Sequence, residues 1–175
     1  MTQQKPVVIL PGFPTSAIFT FHEFIAPVIR QLAGNTPVDE TQLAAKMAVR
    51  VRSEIGRTEY LLVGLVELPD DNSLVAYPMG KGSGSVTTFS HADGFITIDR
   101  HHEILDEESP VSVTLLGKEL VIADLVVIGS HCVGLDLILS TLQQDGTHSK
   151  LMTVGSTGGV EAARRGECDL SLIHI

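Results

Sequence analysis

A chain of 175 residues with 43% hydrophobic content has enough apolar material for a buried core, as one domain or two small ones, which excludes a disordered tail. Its formal charge of −9 divides into about +1 over residues 1–37, about −6 over 38–118 and about −4 over 119–175. With no basic stripe and no aromatic ladder, nucleic acid is not an expected partner. Two cysteines, Cys132 and Cys168, are too few and too differently placed for a disulfide framework. No apolar run approaches the roughly 20 residues of a membrane span. The first residues lack the apolar region of a signal peptide, so a soluble, cytoplasmic protein with no membrane partner is expected.

In chain order, Val7–Leu10 reads as a short strand, Pro11–Ser16 as a proline turn, and Ala17 to about Leu32 as a helix. Thr15 or Ser16 can serve as N-cap, and Gly34 stands where the helix should end. Pro27 lacks an N–H and crowds the preceding turn, which predicts a kink or break near Phe24. A lone strand and helix cannot bury both faces, so this piece requires a partner.

From Thr41 to Leu116 the texture becomes β-rich. Runs at Leu43–Val51, Glu59–Glu67, Leu74–Tyr77, Phe95–Ile98 and Val111–Leu115 are separated by polar turns, which predicts a small barrel or sandwich. A helical turn or two is expected within Ser85–Ala92. His101, His102 and Glu103 look like metal-ligand material, but adjacent residues on a strand point to opposite faces and no further Cys or His pair converges on them. No metal ligand and no catalytic residue is assigned.

The last segment alternates again: strand Leu125–Ile128, helix Val133–Gln143, strand Leu151–Val154, helix Val160–Arg165 and strand Asp169–Ile175. Such alternation implies a parallel sheet joined by right-handed crossovers. Two small-residue turns, Gly129-Ser130 and Gly155-Ser156-Thr157-Gly158-Gly159, then fall at carboxyl ends of strands, where open α/β sheets bind ligands. Helix starts leave backbone N–H groups without intrahelical partners and favour negative charge, and hydroxyls add donors. Ser130, Ser156, Thr157, Gly158 and Gly159 are therefore candidates for binding a small oxyanion, although plain N-capping also accounts for the hydroxyls. Arg164 and Arg165, about two turns along, are expected to face solvent. His131 and Cys132 follow Ser130 and could touch a pocket there, but no companion base marks Cys132 as a nucleophile.

The run Leu10-Pro11-Gly12-Phe13-Pro14-Thr15-Ser16-Ala17 and the helix after it resemble the end of the catalytic domain of molybdopterin molybdotransferases, the MoeA family. The strands of residues 41–116, with the segment Gly82-Ser83-Gly84-Ser85 through Ala92-Asp93-Gly94-Phe95-Ile96, resemble the family's small β-barrel-like C-terminal domain. The resemblance implies insertion of molybdate into adenylylated molybdopterin with Mg²⁺, mostly through residues outside this chain, and assembly as a homodimer. Pro11, Gly12, Pro14 and Ser16 would line one wall of the pterin or molybdate pocket. Residues 122–175 resemble the first lobe of the substrate-binding modules of periplasmic transporters and LysR-type regulators.

The expected fold class is thus α/β plus β. Residues 1–37 would end an α/β molybdopterin-binding domain, 38–118 form the small barrel domain, and 119–175 begin a parallel α/β binding unit. The chain is expected to be an internal piece of a longer fusion protein, inactive by itself. The leading functional expectation is molybdenum cofactor biosynthesis with a fused oxyanion-binding domain. The alternative is a non-enzymatic regulatory or sensor module that binds molybdate or another small anion and closes by hinge motion.

Overall fold

The computed structural model describes residues 6–35, 40–80 and 86–173. Its contacts divide the chain into two compact units, residues 1–40 with 80–91 and residues 41–79 with 92–175.

In the first unit, Pro6–Phe13 is exposed and irregular, so the strand expected at Val7–Leu10 is absent. A strand needs a neighbour for its N–H and C=O groups, and the described residues of this unit contain no other. Helix α1 (Pro14–Thr20) begins earlier than expected. Its N-cap is Phe13 with Pro14 in the first turn, which overturns the expected cap at Thr15 or Ser16. The break expected near Phe24 is a π-helical turn over Phe21–Ile25, where the Ala26 N–H reaches back to Phe21 O. Widening the turn accommodates Pro27, whose ring would otherwise press on the carbonyl four residues back. Helix α2 (Ala26–Leu32) ends as expected at Gly34, in the left-handed region at φ 71°. Asn35 N–H bonds Arg30 O at 2.9 Å and Gly34 N–H bonds Gln31 O at 3.1 Å, the paired bonds of a Schellman ending. Helix α3 (Val86–His91) lies in the same unit, with the Phe89 ring edge-on to Phe19 at 5.9 Å.

The second unit starts with strands β1 (Gln42–Met47), β2 (Val51–Arg52), β3 (Glu59–Glu67), β4 (Leu74–Pro78), β5 (Gly94–Ile98), β6 (Ile104–Leu105) and β7 (Pro110–Leu115). Five of them close a barrel in the order β1-β4-β3-β5-β7, while β2 and β6 form a separate ribbon. Closure comes from β1, which pairs antiparallel with β7 and parallel with β4. The run expected as one strand over Leu43–Val51 is bent after Met47, because Ala48 N–H turns to Ala76 O. Met47, Leu61, Val63, Leu65, Ala76, Ile96 and Val113 fill the barrel.

Beyond the barrel, β8 (Leu125–Gly129), α4 (Val133–Gln144), β9 (Ser149–Thr153), α5 (Gly155–Arg164) and β10 (Leu170–Leu172) form a parallel sheet of order β10-β8-β9 with helices at its crossovers. This sheet shares a core with the outside of the barrel. In β3, Leu61, Val63 and Leu65 face inward while Val66 packs outward with Val75, Tyr77, Ile128, Met152 and Ala162. The period of two therefore leaves both faces of β3 buried from Leu61 to Val66. Among the described residues no helix is long and apolar enough to cross a membrane.

Candidate functional site

The carboxyl ends of β8, β9 and β10 are stitched together by backbone. Ser130 N–H donates to Leu172 O at 2.8 Å, and Val154 N–H donates to Gly129 O at 3.0 Å. Gly129 permits this closeness, since a Cβ there would run into the Leu172 backbone. The stitching brings Ser130, after β8, and Ser156, in the first turn of α5, into a mutual hydroxyl bond of 2.7 Å. The sequence placed these two hydroxyls 26 residues apart; the fold makes them neighbours.

Helix α5 starts at Gly155, in the left-handed region at φ 78°, and not at Val160 as the sequence suggested. The small-residue run is therefore the helix's own first turns. Thr157 is exposed on the first turn. Gly158 and Gly159 have packing roles. A Cβ on Gly158 would sit 2.9 Å from Val154 Cγ2, and one on Gly159 would sit 2.7 Å from both Gly129 Cα and Ile128 O. Gly159 lets α5 lie directly on the sheet, and Gly158 makes room for the Val154 side chain at the helix's own N-cap, so a run with poor helix propensity is helical.

The first-turn N–H groups of α5, with the adjacent hydroxyls, are neutral donors suited to a small anion. An incoming anion has to compete for hydroxyls already bonded to one another. The start of α4 differs. Its first turn carries Asp136, whose carboxylate takes His131 Nε2 at 2.8 Å. A carboxylate there already complements that helix dipole and disfavours a second anion, so the start of α5, with Ser130 brought to it from the other turn, is the better candidate. Cys132 is the N-cap of α4 without a side-chain capping bond.

Arg164 is exposed and pairs with Glu161 on its own helix. Arg165 does not face solvent as expected. Its Nε and a terminal nitrogen grip the Glu167 carboxylate at 2.7 and 2.9 Å, and its other nitrogen reaches Glu107 Oε1 at 2.9 Å. Glu167, with a side chain only 2% exposed, also accepts the Tyr77 hydroxyl. Burial, then the Glu167 carboxylate, push the Tyr77 phenol well above its ordinary range, and the same carboxylate raises the Arg165 guanidinium. Burial also raises the Cys168 thiol.

In the first unit, Pro11 and Gly12 are exposed, while Pro14 and Ser16 are half-buried in the first turn of α1. Gly12 has open space where a side chain would stand. His101, His102 and Glu103 are exposed, and among the described residues no group of three or more His, Cys, Asp or Glu is placed to hold a metal.

Residues 44–116 match the MoeA C-terminal region (domain IV). That span runs from β1 to the end of the barrel. Similar solved structures include a molybdopterin biosynthesis MoeA protein from Pyrococcus horikoshii, 35% identical over 63% of this chain and 26% of that one, with a TM-score of 0.47. A second MoeA structure from Pyrococcus horikoshii OT3 is 20% identical over 59% of this chain and 26% of its own, with a TM-score of 0.48. A molybdenum cofactor biosynthesis protein from Pyrococcus furiosus is 24% identical over 59% of this chain and 36% of its own, also with a TM-score of 0.48. The chain thus spans between about a quarter and about a third of the length of these proteins.

Of the residues joining the barrel to the sheet, Asp93, Lys150, Tyr77 and Glu167 were given no such role from sequence, and Arg165 was expected to face solvent. One signal was available: Leu61-Leu62-Val63-Gly64-Leu65-Val66 is an unbroken apolar run, and such a run marks a strand buried on both faces.

Proposed function

We propose that this chain acts in molybdenum cofactor biosynthesis as part of a MoeA-type molybdopterin molybdotransferase, and that its parallel α/β layer binds the oxyanion substrate. The match of residues 44–116 to the MoeA C-terminal region carries the first half of this reading. The meeting of Ser130 and Ser156 at the start of α5 supports the second.

In this reading the whole protein transfers molybdate to adenylylated molybdopterin. The proline turn, through Pro11, Gly12, Pro14 and Ser16, forms a wall of the pterin pocket; none of these side chains is an acid or base, so the turn positions and does not catalyse. Mg²⁺ requires oxygen ligands, usually carboxylates, and these four residues supply none. No step involving Mg²⁺ is therefore assigned to them. The Ser130 and Ser156 hydroxyls, Thr157 and the α5 backbone donors hold molybdate by hydrogen bonds and helix dipole, without a fixed cation. A tethered anion site raises the local substrate concentration for the transferase centre. Assembly as a homodimer completes the reading.

Calorimetric titration with molybdate, tungstate and sulfate tests the anion site. Molybdate binding to the wild type should weaken at least tenfold in Ser130→Ala/Ser156→Ala. Equal binding by both proteins would remove these hydroxyls from the site. Binding without molybdate-dependent cofactor formation by the whole protein would favour the sensor reading.

A further inference from the structure

We infer that the α/β layer is a docked partner of the barrel, held by its own interface and not by the linker that connects them. Three observations combine. The first is apolar: Val66, Val75 and Tyr77 on the outside of β3 and β4 share one core with Ile128, Met152 and Ala162 of the layer. Gly64, midway along β3, leaves the slot into which the Met152 side chain fits, and any Cβ there would strike the Met152 methyl.

The second is a polar clasp on the β9 side. Lys150 Nζ donates to Leu65 O and to Asp93 Oδ2, both at 2.7 Å, and Asp93 Oδ2 also accepts Leu65 N–H at 2.6 Å. Both charged side chains are largely shielded from water, at 14% and 16% exposure. The third is the α5 side, where Tyr77 and Glu107 of the barrel portion meet Glu167 and Arg165 of the layer. A buried carboxylate is costly unless paired and fully hydrogen-bonded, so undocking would break a satisfied network.

Of the linker between β7 and β8, Leu120 packs against the barrel core, while the three residues before it, Gly117, Lys118 and Glu119, are open to solvent. The consequence is functional geometry: the end of the sheet bearing Ser130 and Ser156 keeps one position and orientation on the barrel and does not swing on a hinge. This inference stands whether or not that end binds an anion.

The test inserts a specific protease site at Lys118 in the whole chain and cuts it under native conditions. The two pieces should co-elute from size exclusion at micromolar concentration. Elution of either piece alone, or its precipitation after cutting, would overturn the inference. In the cut protein, Glu167→Ala should weaken association of the pieces at least tenfold, whereas Arg164→Ala should leave it unchanged; equal effects of the two would also overturn it. Uncut Tyr60→Phe protein offers a second readout, because the sequence has two tyrosines and no tryptophan. Tyr77 fluorescence and far-ultraviolet circular dichroism should then report coincident urea transitions. Release of Tyr77 at lower urea than loss of the barrel signal would contradict docking.

Discussion

The barrel closes its five strands on one another and buries Met47, Val63 and Val113 inside that ring, whereas the α/β layer closes on nothing of its own. Its three strands bury Ile128 and Met152 against the outside of the barrel, and α4 leaves Val133, Leu137 and Ile138 exposed. Closure makes the barrel's core a property of its own strands. The layer's order depends on a neighbour, through the apolar contacts of Ile128 and Met152 and through paired charges at Lys150 and Arg165.

Crowding at the helix–sheet contact gives the sharpest contrast. Gly159→Val should cost about 3 kcal/mol or more, because the new atoms would meet backbone at Gly129 and Ile128, which cannot rotate away. Gly64→Ala meets only the flexible end of Met152 and should cost about 1 kcal/mol. Urea midpoints of the two variants check this; equal losses would mean the layer yields as easily as a side chain.

Next in size is Glu167→Ala, which leaves Arg165 and the Tyr77 hydroxyl without their shared partner. Its expected cost is about 3 kcal/mol in chemical denaturation, with the layer's signals lost first. A variant as stable as the wild type would show that charge pairing does not hold the layer in place.

Alkali should loosen the same contact. The folded pKa of Tyr77 is raised above the unfolded value of about 10, so its stabilising contribution is complete below about pH 10 and is lost as pH rises through the folded value. Melting temperature should fall more steeply above about pH 10 in the wild type than in Tyr77→Phe, as read by circular dichroism. The smallest effect belongs to Arg164→Ala, within about 0.5 kcal/mol, because its partner Glu161 is a neighbour on the same exposed helix face.

These differences explain what the sequence made legible. Barrel strands were readable because short apolar runs bounded by turn residues are local signals, and β3 matches the expected Glu59–Glu67 at both ends. The break near Phe24, caused by Pro27, and the stop at Gly34 were readable for the same reason. The start of α5 was not, because Gly158 and Gly159 look like loop residues until the sheet that Gly159 presses against is known. Arg165 looked solvent-facing because the groups that bury its end lie far off in the chain: Glu107 is 58 positions from it, and Tyr77 is 90 positions from the Glu167 carboxylate that both share. At the candidate site, the hydroxyls of Ser130 and Ser156 were anticipated. Asp136 was not weighed as the group that occupies the start of α4, although it stands in the first turn of the predicted helix.

Backbone amide spectra during a molybdate titration test the central functional claim most directly. Shifts concentrated at Ser130 and at Gly155–Thr157, and absent from Val133–Leu135, are the predicted result. Shifts at the start of α4 with none at α5, or no shifts at either, would contradict the site.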